Sequence, residues 1–110
     1  IKKKDELTIK LEKNVDILSY VSNHNSMRPK LVIGFAAETN NLEDNAIEKL
    51  KNKNCDMIIA NNVSNKDIGF DSDFNEVTIF YKDNKKEKLF KKNKTLISEE
   101  IVDRVNIQLN

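Results

Sequence analysis

The chain has 110 residues, with 19 basic and 18 acidic side chains and a net charge of +1. This length suits one domain, and the balanced charge lacks the positive field that is typical of nucleic-acid binders. No apolar run reaches the length of a membrane span or signal peptide, so we predict no nucleic-acid and no membrane partner. The single cysteine, Cys55, excludes an internal disulfide and favours a reducing cytoplasm.

The first third of the chain predicts a strand, a helix and a second strand. Apolar residues alternate with polar ones through residues 5–12, which is typical of a half-buried strand. Asn14 is a favourable N-cap for a helix that reaches about Asn23. The run 30–37 is apolar on both faces, as expected for a strand covered by helices on both sides.

The middle of the chain predicts a helix between two buried strands. Asn40 and Glu43 have the spacing of a capping box. Three apolar residues then lie along one helical stripe: Leu42, Ala46 and Leu50. The second buried strand follows at 56–60, so the two strands form a right-handed βαβ unit. Ligands of such sheets bind outside the carboxyl ends of the strands, where both apolar runs stop at polar residues.

The last third predicts a hairpin and a helix. Residues 76–81 and 86–90 read as two strands joined by the polar turn 82–85. Ser98 is the predicted N-cap of the last helix, with Ile97 packing on Val102 as a hydrophobic staple. The apolar stripe of this helix continues through three residues: Ile101, Val105 and Leu109.

These elements predict an α/β fold. We expect a Rossmann-like three-layer sandwich whose mostly parallel sheet has a β-hairpin extension and whose N-terminal half is missing. The chain opens on Ile1 without an initiator methionine, and we therefore expect a piece of a longer polypeptide. The lone Gly34 and Gly69 do not form a glycine-rich phosphate loop, which weakens a dinucleotide-binding interpretation.

Five ordered motifs carry a family resemblance over nearly the whole chain. They are Asp5-Glu-Leu-Thr-Ile-Lys10, Lys13-Asn-Val-Asp-Ile17, Gly34-Phe-Ala-Ala-Glu-Thr39, Ala60-Asn61 with Val63-Ser64, and Gly69-Phe-Asp-Ser-Asp73. In this combination the chain resembles phosphopantothenate–cysteine ligase, and within it the C-terminal half of the synthetase domain of the bacterial bifunctional coenzyme A biosynthesis protein. The resemblance implies a flap and dimerisation strand at 1–12 and a nucleotide-binding part at 13–110.

The resemblance also implies an activity. Members of this family activate the carboxylate of 4'-phosphopantothenate with CTP, which gives an acyl-cytidylate and pyrophosphate. The amine of cysteine then displaces CMP and forms 4'-phosphopantothenoylcysteine. Implied along with this are Mg²⁺ bound with CTP, a cytoplasmic homodimer or higher homo-oligomer, and FMN only if a fused decarboxylase half lies upstream. The alternative is a non-catalytic α/β module that binds nucleotide or dimerises.

The family's nucleotide contacts fall on eight residues of this chain: Val15, Asp16, Ile17, Leu18, Phe35, Lys49, Lys53 and Asn61. Lys49 and Lys53 lie four residues apart on the predicted helix. The residue one turn before Lys49 is Asn45 and not a carboxylate, so the two lysines have no acidic partner along this side of the helix. Such a like-charged pair costs an isolated helix roughly 0.2–0.5 kcal/mol, which a bound triphosphate would offset. The alternative is that both lysines only complement the helix dipole.

The other assignments also have structural alternatives. An aromatic such as Phe35 in an apolar strand is more often a core residue, and Asn61 suits a turn. The segment 15–18 is explained equally well as a helix start, and it has Val15 where many family members have proline. Lys2 and Lys3 match a catalytic flap motif whose leading lysine would precede residue 1. Without the resemblance they read as a solvated terminus.

Overall fold

A computed structural model describes residues 17–63 and 73–110. This part of the chain contains seven elements in the order α1 (Ile17–Ser22), β1 (Ile33–Glu38), α2 (Leu42–Asn52), β2 (Met57–Asn62), β3 (Phe74–Tyr81), β4 (Lys86–Asn93) and α3 (Lys94–Leu109). Several predicted features lie outside the described residues: the strand 5–12, the flap lysines Lys2 and Lys3, the helix cap Asn14, and the contacts Val15 and Asp16. No helix within the described ranges is long and apolar enough to cross a membrane.

The sheet has the strand order β1-β2-β3-β4. β1 pairs in parallel with β2, while β2 with β3 and β3 with β4 are antiparallel. The predicted α/β class, with its βαβ unit and hairpin extension, is confirmed. One of the three pairings in the described sheet is parallel, because the two strands of the hairpin supply the antiparallel ones.

Helices cover both faces of the sheet and create two cores. On one face α1 and α2 pack over a cluster that includes Ala36, Ile58 and Phe80. On the other face α3 packs over Ile59 and Ile79. Burial of every residue from Met57 to Ala60 explains why this stretch is apolar without alternation.

β1 differs from β2 because one of its faces is partly open. Gly34 and Ala36 are buried beneath the helices on the α2 face, whereas Phe35 and Ala37 are exposed on the other. α3 packs mainly against β3 and β4, so this face of β1 is covered at Ile33, which packs against the α3-face core, and is open at Phe35 and Ala37. In the described part of the molecule, the expectation of helices on both faces of the strand predicted at 30–37 holds at Ile33 and fails at Phe35 and Ala37.

The two predicted helix caps that lie within the described residues, Asn40 and Ser98, are displaced. α2 begins at Leu42 after Asn41, which adopts a left-handed conformation with φ 49° and makes no side-chain cap bond. The predicted capping box at Asn40 is therefore wrong, because Asn41 in its left-handed conformation is the residue that precedes the helix. α3 begins at Lys94, and the side chain of Asn93 accepts a hydrogen bond from the Leu96 amide at 2.9 Å.

The predicted cap Ser98 accordingly lies inside α3, because β4 runs directly into this helix. Ile97 is a core residue with 1% exposure, and its predicted staple partner Val102 is 56% exposed. The apolar stripe itself is present, since Ile101 and Val105 pack against the α3-face core. The sequence predicts a later start for this helix than the observed Lys94, because the mostly polar residues 91–95 resemble a loop.

Gly34 allows α1 to approach the sheet. A Cβ at this position would lie 2.7 Å from Cδ1 of Ile58 and 2.9 Å from Cδ2 of Leu18. We predict that Gly34→Ala lowers the free energy of unfolding by about 1–3 kcal/mol, because the added methyl overpacks this contact. Denaturant unfolding measures the loss. Adding Leu18→Ala should relieve the part of the clash that involves Leu18, so a double variant as unstable as the sum of both changes contradicts this explanation.

A polar network joins the elements at the amino end of the parallel strands. The guanidinium of Arg28 donates from Nε to the Ser22 carbonyl at 2.7 Å and from Nη2 to the Asn54 carbonyl at 3.0 Å. Nη2 also donates to Oδ2 of Asp56 at 3.0 Å, and the same oxygen accepts the Val32 amide at 2.8 Å. One side chain thus connects the ends of α1 and α2 to the start of both strands.

A second network ties α3 to the hairpin. Glu87 accepts Nη2 of Arg104 at 2.7 Å and the hydroxyl of Tyr81 at 3.2 Å. The hydrogen bond from Arg104 is the main reason that the pKa of Glu87 lies below its ordinary 4.5. Burial, together with Glu87, raises the pKa of Tyr81 to about 12.

The sign of these shifts predicts the pH dependence of stability. Because folding lowers the pKa of Glu87, its contribution is present above pH 4.5 and is lost as the pH falls through the folded value. We expect acid to lower the melting temperature of the native chain more than that of Glu87→Gln. The contribution of Tyr81 is present below pH 10.0 and is lost as the pH rises through about 12. If acid lowered the melting temperatures of the native chain and of Glu87→Gln equally, the assignment of the acid sensitivity to Glu87 would be contradicted.

Candidate functional site

The carboxyl ends of β1 and β2 meet at one edge of the sheet. Glu38 lies opposite Asn62 in the parallel register, and the Val63 amide donates to the Glu38 carbonyl at 3.0 Å. The prediction that both apolar runs end side by side is confirmed. In open α/β sheets this edge is where ligands bind, and α2 begins just beyond it.

A carboxylate occupies this edge and gathers two side chains from α2. Oε1 of Glu38 accepts Nδ2 of Asn45 at 3.1 Å, and Oε2 accepts Nζ of Lys49 at 3.0 Å. We refer to Glu38, Asn45 and Lys49 as the Glu38 cluster. The expectation that Lys49 lacks an acidic partner is wrong, because its partner lies on β1 and not along the helical row.

Lys49 remains able to contact a ligand. Its ammonium carries three donors, of which the bond to Glu38 uses one. The Lys49 side chain is 39% exposed, whereas that of Glu38 is only 13% exposed. The cluster therefore presents an oriented cation toward solvent on a nearly buried anionic support.

Lys53 has a different environment from Lys49. It is the C-cap residue of α2, where its amide donates to the Lys49 carbonyl at 3.0 Å. Its own carbonyl accepts the hydroxyl of the buried Ser22 at the end of α1. The predicted lysine pair thus lies on successive turns, with one member at the strand edge and the other beside α1.

Phe35 and Asn61 lie on the face opposite the Glu38 cluster. Paired residues of parallel strands share a face, so Phe35 and Asn61 project on the α3 side while Glu38 and Asn62 project on the α2 side. Phe35 is 73% exposed, which excludes a core role among the described residues. The structure places Asn62, and not Asn61, on the face of Lys49.

Of the remaining predicted contacts, the two that the structure describes, Ile17 and Leu18, lie at the start of α1. Ile17 is exposed, and Leu18 is half-buried against the α2-face core, where it contacts the Gly34 position. The role of these residues, like that of Phe35, Lys49, Lys53 and Asn61 in nucleotide binding, stays a prediction.

Sequence reasoning missed two members of the cluster. Glu38 and Asn45 are not among the residues that the sequence analysis predicts as contacts. The available signal was a carboxylate at the end of a buried strand followed by an amide and an amine one turn apart on the next helix.

Comparison with known proteins decides the family. Residues 1–108 match the family described as DNA/pantothenate metabolism flavoprotein C-terminal domain. The chain belongs to this family. Its relatives in this family include the "Coenzyme A biosynthesis bifunctional protein CoaBC" of Haemophilus influenzae, which is 44% identical over 101 residues. The protein of the same name from Bacillus subtilis is 40% identical over 106 residues.

The chain corresponds to a limited part of these family members. The matches cover 92% and 96% of this chain but 24% and 26% of the two relatives. A crystal structure of the C-terminal domain of CoaBC superposes with a TM-score of 0.68 at 35% identity, over 86% of this chain and 42% of that one. A Streptococcus pneumoniae flavoprotein of DNA/pantothenate metabolism has the same TM-score at 23% identity and supports the fold alone.

Proposed function

We propose that this chain is the nucleotide-binding part of a CTP-dependent phosphopantothenate–cysteine ligase that acts in coenzyme A biosynthesis. The observation that carries the proposal is the oriented Lys49 ammonium at the shared carboxyl edge of β1 and β2. Family membership supports it, because relatives named for coenzyme A biosynthesis match nearly the whole chain.

The proposed reaction needs cations and precise placement. The carboxylate of 4'-phosphopantothenate attacks the α-phosphorus of CTP, the bond to pyrophosphate breaks, and an acyl-cytidylate forms. The amine of cysteine then attacks the acyl carbon, loses a proton and releases CMP. Both anionic reactants repel one another, so lysine donors that hold the phosphates stabilise the transition state. In the proposal Lys49 and Lys53 hold the phosphates from α2, and Lys2 and Lys3 hold them from the flap that the family resemblance implies.

Other residues hold the nucleoside in this proposal. As the family resemblance implies, backbone groups of Val15, Asp16, Ile17 and Leu18 contact the cytosine in this proposal. The exposed ring of Phe35 offers a stacking surface, and its exposure supports this role over a structural one. Asn61 offers an amide to the ribose or a phosphate.

The proposal includes magnesium with CTP. Within residues 17–63 and 73–110 there is no group of three or more His, Cys, Asp or Glu side chains that could hold a metal ion. We therefore assign Mg²⁺ to the phosphate oxygens, a common arrangement for this ion, and name no protein ligand. A homodimer or higher homo-oligomer in the cytoplasm completes the proposal.

Calorimetric titration of the full-length protein with CTP and Mg²⁺ tests the nucleotide assignment. We expect CTP to bind more tightly than ATP and Lys49→Ala to weaken CTP binding about tenfold or more, because a charge-assisted hydrogen bond is lost. Lys86→Ala is the matched control, since Lys86 also pairs with a glutamate but at an exposed position. Failure of CTP to bind would favour the non-catalytic module, and equal binding by Lys49→Ala would overturn the assignment of Lys49 as a phosphate contact.

A further inference from the structure

We propose that Glu38 is a positioning residue of the nucleotide site, which holds the Lys49 ammonium at the edge where the phosphates bind. This inference rests on the proposed function, since it takes Lys49 to be a phosphate contact. It assigns to Glu38 an effect opposite to that of an ordinary carboxylate near a polyanion, which would only repel the ligand.

Glu38 is a firm support for Lys49. As the last residue of β1, its backbone is fixed by the parallel register and by the Val63 amide on its carbonyl. Its carboxylate is braced by Nδ2 of Asn45, which also donates to the Asn40 carbonyl at 3.2 Å. The carboxylate therefore lies in one place before any ligand arrives.

The support reduces the ordering that Lys49 must undergo on binding. A lysine side chain in solvent samples many rotamers, and its ordering opposes association. Here the ammonium is already held 3.0 Å from Oε2 of Glu38, with donors left for a phosphate oxygen. Prior ordering strengthens binding only if the lysine is held in the orientation that the ligand uses.

The chain offers a matched ion pair for comparison. Glu43 lies on α2 and accepts Nζ of Lys86 at 2.6 Å. These side chains are 53% and 57% exposed, against 13% and 39% for Glu38 and Lys49. Glu43→Ala therefore removes the same charge near the same helix without disturbing the strand edge.

The experiment is a titration of the full-length protein with CTP and Mg²⁺, and its readout is the sign of the change. If Glu38 only neutralises Lys49, Glu38→Ala leaves an extra positive charge and strengthens CTP binding. If Glu38 positions Lys49, Glu38→Ala weakens CTP binding about tenfold, and Glu43→Ala leaves it nearly unchanged. Glu38→Gln, whose amide oxygen can still accept from Lys49, should recover part of the affinity.

A double variant separates positioning from a general structural role. We expect Glu38→Ala together with Lys49→Ala to bind CTP no more weakly than Lys49→Ala alone, because both changes remove one interaction. Thermal unfolding of each variant checks that the domain is folded, and Glu38→Gln serves if Glu38→Ala does not fold.

The outcomes distinguish this inference from the proposed function. Stronger or unchanged CTP binding by Glu38→Ala, with weaker binding by Lys49→Ala, overturns the positioning role alone. Additive losses in the double variant also overturn it. Unchanged binding by Lys49→Ala overturns the nucleotide assignment of Lys49, and the role of Glu38 fails with it.

Discussion

Replacing Ile97 with alanine is expected to lower the free energy of unfolding by about 2–5 kcal/mol, the range for truncating a buried aliphatic side chain. Ile97 is 1% exposed and joins the core on the α3 face together with Ile79 and Leu89. Truncation removes apolar contacts and leaves a cavity that the packed sheet fills only in part. Denaturant unfolding followed by circular dichroism measures the loss.

Val102→Ala is the control on the same helix. Val102 is largely exposed, so we expect this change to alter stability by no more than about 0.5 kcal/mol. If Ile97 acted as a staple on Val102, both truncations would have similar small costs. Comparable losses from the two variants would therefore contradict the core position of Ile97.

Replacing Arg28 with alanine is the second change with a large expected effect, a loss of about 2–4 kcal/mol. The substitution deprives the Ser22 and Asn54 carbonyls and the Asp56 carboxylate of a donor at once. The Arg28 and Asp56 side chains are mostly buried, so water replaces these bonds incompletely. Denaturant unfolding at neutral pH gives the difference.

Two further variants test the geometry of this network. Arg28→Lys should recover only part of the stability, because an ammonium cannot reproduce the planar fork of a guanidinium. Lys85→Ala, which breaks an exposed ion pair with Asp83 at 3.7 Å, should change stability by less than about 0.5 kcal/mol. Full recovery by lysine would show that charge alone matters at position 28.

Sequence patterns predicted the parts of the fold that depend on local periodicity. The stripe Leu42, Ala46 and Leu50 lies on a helix whose inner face contacts the core, as its spacing indicates. The strand predicted at 56–60 is observed as Met57–Asn62, and the burial of its first four residues on both faces explains their lack of alternation. The turn 82–85 connects two antiparallel strands, as its polar residues suggest.

Helix starts were predicted less well, because several neighbouring polar residues can act as caps. Asn40 and Asn41 are both good candidates, and the backbone conformation at Asn41 decides between them. Asn93 and Ser98 compete in the same way, and the direct passage from β4 to α3 selects Asn93. Single-residue preferences do not contain this information.

The candidate site shows a similar division. The meeting of the two strand ends follows from the βαβ pattern, but the contact between Glu38 and Lys49 joins two elements whose relative placement is tertiary. Because side chains alternate along a strand, Phe35 and Asn61 project from the sheet face opposite to Glu38 and Lys49. The sequence places all four residues in or between the two parallel strands and does not show this separation. The family resemblance supplied the chemistry, which periodicity and composition did not contain.

The two strands that form the site edge differ in how firmly they are held. β2 has a hydrogen-bonded neighbour on each side and helices on both faces, whereas β1 has a single neighbour in the described sheet and one partly open face. Local opening is easiest where such cover is least. Asn62 thus lies on a strand that is held from both sides, whereas Glu38, at the end of β1, is held by the Val63 amide and by Asn45 and Lys49. The two bonds from α2 therefore fasten the end of this border strand where β1 has no second neighbouring strand in the described sheet.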